Sequence, residues 1–179
     1  MISFSALRDG YFAGFLLRDI RMSKDNAPEL DATDRRILRT IQGAGRISFV
    51  DLAAEVGLSE SPCFRRVKRM ETEGVITGYA AEVDQRRLGL DVTAFVEVTM
   101  ERQPTAETDA FLARVAEEPH IVECHATSGT HDYLMKVVAR SIDHFSELCM
   151  EGILQFPGVR HIESSFSLKA VKLSRTLPT

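Results

Sequence analysis

The sequence predicts an α+β protein, helical at first and then folded as a β-α-β-β-α-β unit. Three observations carry this. Between residues 30 and 74, apolar side chains recur at helical spacing in three short runs, opened by Asp or Ser and closed by glycine. From Leu90 the apolar period changes from 3.6 to 2. Two further helical runs are then interleaved with the strands in the order of the ferredoxin-like split.

The elements follow in order. Residues 1–29 read as an N-terminal extension, the first 22 of which show no clear period. Met22 is a second plausible start, so residues 1–21 are expected to be an upstream-start extension or a cloning remnant. The alternative is a helix that docks Phe12, Phe15, Leu16 and Ile20 on a partner subunit. Residues 30–84 form the first domain with its linker. Asp31 and Asp34 suit the free N–H groups at a helix start, and Ile37, Leu38 and Ile41 supply its apolar stripe. Ser48 caps a second helix with Leu52, Ala53 and Val56 inward, closed by Gly57. Ser59 opens a third helix over Glu60 to Glu73, with Pro62 in its first turn, where a missing N–H costs nothing. Cys63, Phe64, Val67 and Met70 are its expected inner face. Val75 to Ala80 suggests a short hairpin, and Asp84 to Arg87 a linker.

Residues 85–179 form the second domain. Ala94, Val96, Val98 and Met100 alternate along a first strand. A helix over Thr105 to Ala116 turns Phe111, Leu112 and Val115 inward. Strands over Ile121 to Thr127 and Asp132 to Ala139 flank the loop Ser128-Gly129-Thr130-His131. Ser141 caps a helix carrying Phe145, Leu148, Cys149 and Leu154, and a last strand runs from Val159 to Val171. Two helices cover one face of such a sheet. Phe95, Val138 and Phe166 are expected on the other, an apolar face suited to dimerisation.

Composition bounds the function. The 179 residues are 44% hydrophobic and 27% charged, as in ordinary globular proteins, and the net charge of −4 excludes a uniformly basic binder. A local basic patch survives: Glu60 to Met70 holds four basic residues and one acid. The apolar run Tyr11 to Leu17 is too short to span a bilayer and lacks a cleavage site, so a cytoplasmic protein is expected, without a membrane partner. Cys63, Cys124 and Cys149 are far apart, and no CxxC or CxxH spacing exists; neither a disulfide framework nor a metal site is predicted.

Two short helices joined by Gly57-Leu58-Ser59, the second basic outside, form a helix-turn-helix pattern. The first turn of such a helix approaches base edges in the major groove of double-stranded DNA. Here it offers Glu60, Ser61 and Arg65, with Ser59 just ahead of them a further DNA-binding candidate; Arg pairs with guanine and Glu accepts from cytosine. Arg66, Lys68 and Arg69 are placed for phosphate, with Arg46 a further candidate. A merely solvated basic face is the plainer alternative. His131-Asp132, His125 beside Cys124, and His144 lie in no nucleophile elbow, phosphate loop or metal spacing, so no catalytic residue is assigned. A ferredoxin-like amino-acid-binding protein or enzyme without a DNA role is the competing function.

The segments Leu30 to Leu38, Gly45 to Ser48, Leu52 to Cys63, Arg65 to Glu71, Gly74 to Tyr79, Glu123 to His125, Ser128-Gly129, Asp132 to Leu134 and Phe156 to Val159 together resemble the Lrp/AsnC family of transcription regulators. The Ser-Pro-Cys segment and the loop before Tyr133 resemble its leucine-responsive branch most. The resemblance implies a winged helix-turn-helix followed by a ferredoxin-like domain that dimerises, assembles further, often to octamers, and binds an amino-acid effector rather than a cofactor. It also implies an effector site near Ser128, Gly129, Thr130, His131, Asp132 and Tyr133, between subunits. Backbone N–H groups there suit an α-carboxylate and Asp132 an α-ammonium. From the residues alone, Gly129-Thr130 reads as a hairpin turn that Asp132 caps; the resemblance is what makes it an effector site.

Overall fold

The computed structural model describes residues 28–101 and 105–179. The expectations for residues 1–21 fall outside this range. The described chain divides into two units: residues 28–82 together with 172–179, and the described residues between 83 and 171. The last eight residues, which the sequence assigns to the second domain, thus belong with the first. Arg39 donates to the Thr179 carbonyl at 2.7 Å, and the Gln42 side chain exchanges two hydrogen bonds with the Leu177 backbone.

The first unit holds three helices, α1 (Ala32–Gly43), α2 (Phe49–Glu55) and α3 (Glu60–Thr72). α1 opens on a reciprocal cap. The Asp31 carboxylate accepts from the Thr33 and Asp34 N–H groups, and Asp34 accepts from the Asp31 N–H. Ser48 caps α2 by accepting from Asp51 N–H at 3.1 Å. Gly57 (φ 68°) and Gly74 (φ 72°) close α2 and α3 in the left-handed region that other side chains avoid. Ile37, Leu38, Leu52, Ala53, Val56, Cys63, Val67 and Met70 make the core.

Two expectations fail here. Phe64 is 44% exposed, because Cys63, Val67 and Met70 take the inward stripe and leave it on the flank, edge-on to Phe49. The hairpin at Val75 to Ala80 does not form. The N–H groups of Val75 and Ile76 both return to the Met70 carbonyl as the helix terminus, and the chain beyond runs on without a pairing strand. Tyr79 anchors this arm by donating to Glu71 at 2.9 Å.

In the second unit the expected linker contains a 3-10 turn, Arg86–Leu88, whose first N–H groups Asp84 accepts. Then follow β1 (Val92–Met100), α4 (Thr105–Glu117), β2 (Ile121–Ala126), β3 (Tyr133–Ala139), α5 (Ile142–Glu147) and β4 (Val159–Phe166). The strands form one antiparallel sheet of order β2-β3-β1-β4, the ferredoxin-like arrangement. Ala94, Val96, Val98, Tyr133, Met135 and Val137 face the helices, where Phe111, Phe145, Cys149, Ile153 and Phe156 complete the core. After α5 the chain passes through a π turn (Leu148–Gly152) and a 3-10 turn (Ile153–Gln155). The wider turn shifts the helical phase, so Ile153 rather than the expected Leu154 is buried. β4 stops at Phe166, short of the expected Val171. Its partner β1 begins at Val92, and the last cross-strand bond is Ser167 N–H to Thr93 carbonyl.

The apolar outer face is also corrected. The β1–β4 register shifts between Thr99 and Met100, so Val159 and Ile162, three apart, both pack on the core. That bulge moves Phe166 to the helix side, opposite Ala94, with its ring 5.0 Å from Phe145. Val138 lies on the outer face but is 5% exposed. Of the three, Phe95 alone stands out from that face, 40% exposed.

Candidate nucleic-acid interface and effector loop

α3 presents its first turn outward. Ser59 occupies the N-cap position without a side-chain cap bond, and Ser59, Glu60, Ser61 and Arg65 are all exposed. Among the described residues, the side chains of Arg65 and Arg46 make no hydrogen bond or ion pair, which leaves both guanidinium forks available.

The other cations of α3 are engaged. Asp34 is 0% exposed, and its carboxylate receives Arg66 at 2.9 Å and Arg69 at 2.5 Å. Arg66 also reaches Asp31 at 2.7 Å. A buried carboxylate demands such partners. The Asp34 N–H and Arg66 hold the Asp31 carboxyl down at about 2. The same carboxylates, Asp34 first, raise the Arg66 guanidinium further. Lys68 pairs with Glu71 at 2.7 Å and lies 5.8 Å from the Phe64 ring centre. The Lys68 and Tyr79 hydrogen bonds lower the Glu71 carboxyl, and burial together with Glu71 pushes the Tyr79 hydroxyl up to about 12. Arg66 and Arg69 thus clamp α3 to the start of α1, a role that helical spacing shows only as an outward face. Their partner Asp34, legible in the sequence as a capping residue, is the missed functional residue of this unit.

The loop between β2 and β3 exposes Ser128, Gly129 and Thr130. An added Cβ at Gly129 would meet nothing within 4 Å, so open space adjoins the backbone there. Asp132 stands at the rim. Its N–H donates to the Val98 carbonyl, and its Oδ2 accepts from Met100 N–H at 2.7 Å. It caps the strand end, though a carboxylate has further acceptor capacity. Tyr133 turns the other way into the core, its ring 4.8 Å from that of Phe111. His131 leans onto the outer sheet face, with Nδ1 3.2 Å from Thr99 Oγ1 and Nε2 3.2 Å from Glu97. The structure therefore brings Ser128 to Thr130 to the surface together and sends His131 and Tyr133 to opposite sides of the sheet. Glu97 and Glu163, which approach His131 from β1 and β4, carry no local sequence signal.

Among the described residues, no helix is long and apolar enough to cross a membrane. A family model for winged helix-turn-helix DNA-binding domains matches residues 30–77, and one for the Lrp/AsnC ligand binding domain matches residues 93–177. A Bkd operon transcriptional regulator of Pseudomonas aeruginosa is 37% identical over 150 residues, which cover 84% of this chain and 98% of that protein. The leucine-responsive regulatory protein of Escherichia coli K12 is 38% identical over 149 residues, 83% of this chain and 91% of its own. Among solved structures, a Neisseria meningitidis transcriptional regulator in complex with L-Met aligns with a TM-score of 0.81 at 35% identity, covering 84% of this chain and 97% of that one. With both halves matched in order and the structure aligned over most of its length, this chain belongs to the Lrp/AsnC family of transcriptional regulators.

Proposed function

We propose that the chain regulates amino-acid metabolism genes by binding a pseudo-palindromic operator as a homodimer, and that an apolar amino acid modulates this binding. The observation that carries the reading is the division of labour on α3. Arg66 and Arg69 fix the helix to α1, while Arg65, Glu60 and Ser61 remain exposed at its first turn. A rigid helix with an uncommitted guanidinium beside two short polar side chains suits base-edge readout. Arg46, Ser59 and Lys68 are assigned to the phosphates, with Arg66 and Arg69 secondary. Two such helices about 34 Å apart would read successive major grooves.

For the effector we assign leucine or methionine, in keeping with relatives named as leucine-responsive and a related structure holding L-Met. Its place is the loop Ser128 to Tyr133, with Ser128, Gly129 and Thr130 toward the carboxylate and Asp132 toward the ammonium. His131 and Tyr133 act from behind as supports. An effector shifts an equilibrium only by binding one state better, and a site completed by a neighbouring subunit meets that condition. Dimers assemble further, to octamers in this reading. The protein works in the cytoplasm on the nucleoid, as a regulator and not as a catalyst. Anisotropy titration of labelled duplexes selected from a random pool tests this. Sequence-selective binding that changes with leucine or methionine is expected. Binding indifferent to sequence overturns the operator reading, and binding indifferent to every amino acid overturns the effector reading.

A further inference from the structure

We propose that Glu97, His131 and Glu163 bind a divalent transition-metal ion of the zinc type on the outer face of the sheet. One ligand atom from each residue lies within 4.8 Å of the others. The residues come from β1, the β2–β3 loop and β4, so no sequence spacing announces the cluster. The bulge that turns Phe166 inward is the same irregularity that turns Glu163 outward, directly opposite Glu97.

Two features distinguish this from a chance gathering of surface acids. First, Glu97 and Glu163 are cross-strand partners in register, and like charges so placed repel. A cation between them removes that cost. Second, the imidazole is oriented. Thr99 Oγ1 lies 3.2 Å from His131 Nδ1, while Nε2 faces Glu97 at 3.2 Å. A proton on Nδ1, donated to Thr99, leaves the Nε2 lone pair for a metal, the arrangement typical of metal-bound histidine. His161 adds a further imidazole 3.5 Å from Glu163.

The donor set selects the ion. One imidazole and two carboxylates suit zinc and its neighbours, whereas magnesium favours oxygen ligands and retains its waters. Tetrahedral bonds of about 2.0–2.1 Å place ligand atoms roughly 3.4 Å apart, so the two exposed carboxylates need close by at most about 1.4 Å. The bound ion would tie β1, β4 and the effector loop together. The site itself does not depend on the amino-acid reading.

The test is calorimetric titration of Zn2+ into the chelator-treated full chain, without amino acids, beside His131→Ala, Glu163→Gln and Thr99→Val. Saturable binding of one ion per protomer is expected, unaffected by excess Mg2+. It should weaken more than about tenfold in the first two variants and about tenfold in Thr99→Val, which keeps the shape but releases the ring. Circular dichroism confirms that each variant is folded. Absence of saturable binding below millimolar zinc, or equal binding by wild type and the folded His131→Ala and Glu163→Gln variants, overturns the proposal.

Discussion

The two units place charge in opposite ways. In the helical unit a carboxylate is sunk in the structure: Asp34 is the buried charged residue among the described ones, and two arginines of α3 converge on it. In the sheet unit the core is apolar or aromatic throughout, and charged groups such as Glu97, Glu123, Lys136 and Glu163 ride on the outer face. Those ion pairs tie α3 to the start of α1 in addition to the packing of Cys63, Val67 and Met70. The sheet unit is held by its apolar core, and its charged groups pair with one another on the outer face, as Lys136 does with Glu123.

The contrast is broken most severely from the sheet side. Phe111, 0% exposed and packed against Tyr133 and Phe156, anchors α4 on the sheet. Phe111→Ala should destabilise that unit by about 3–5 kcal/mol, read by urea denaturation. Next is Asp34→Ala, which strands both arginines. A cost of about 3 kcal/mol is expected, at the low end for a broken buried pair because the arginines remain partly in water. Loss of DNA binding should accompany it; unchanged stability would remove the clamp from the account.

Arg65→Ala should leave stability within about 0.5 kcal/mol of wild type, as expected for an unpaired surface residue. It should cost about 1–3 kcal/mol of operator affinity and relax the base preference at one position, measured by anisotropy on substituted duplexes. Lys68→Ala should weaken binding to all duplexes alike and lower the salt slope by about 1 per half-site. Its exposed pair with Glu71 adds less than about 1 kcal/mol to the fold.

The smallest effect is a pH dependence. The Asp31 carboxyl sits at about 2 in the folded protein, below its ordinary 3.8. A lowered carboxyl stabilises the fold above its ordinary value and loses that contribution as pH falls toward 2. Thermal melts between pH 4 and pH 2 should show this loss for wild type and a shallower one for Asp31→Asn.

Local signals were legible and non-local ones were not. Asp31, Ser48, Gly57 and Gly74 mark the helix boundaries because caps act within a few residues, and alternation placed β1 correctly. The ion pairs of Asp34 span more than thirty residues and leave no periodic trace. The single-residue bulge near Arg160 reverses which face every later β4 side chain occupies, so Phe166 and Glu163 exchanged the sides that simple alternation gives them. Tyr133, adjacent to the loop in sequence, is core because β3 alternates from that residue onward. The site residues on α3 were legible as a face, but their division into clamping and reading groups required the coordinates of Asp34.

In the proposed function, DNA affinity set by α3 answers to an amino acid held at the loop before Tyr133. The most direct test is operator titration with and without leucine and methionine, on wild type, Asp132→Ala and Asp132→Asn. Asparagine retains an acceptor for Met100 N–H while removing the charge, which separates capping from ammonium binding. A shift of about 5–150-fold in wild-type affinity is expected, with a lost response in both variants and unchanged basal binding in Asp132→Asn. A full amino-acid response in Asp132→Asn would contradict it.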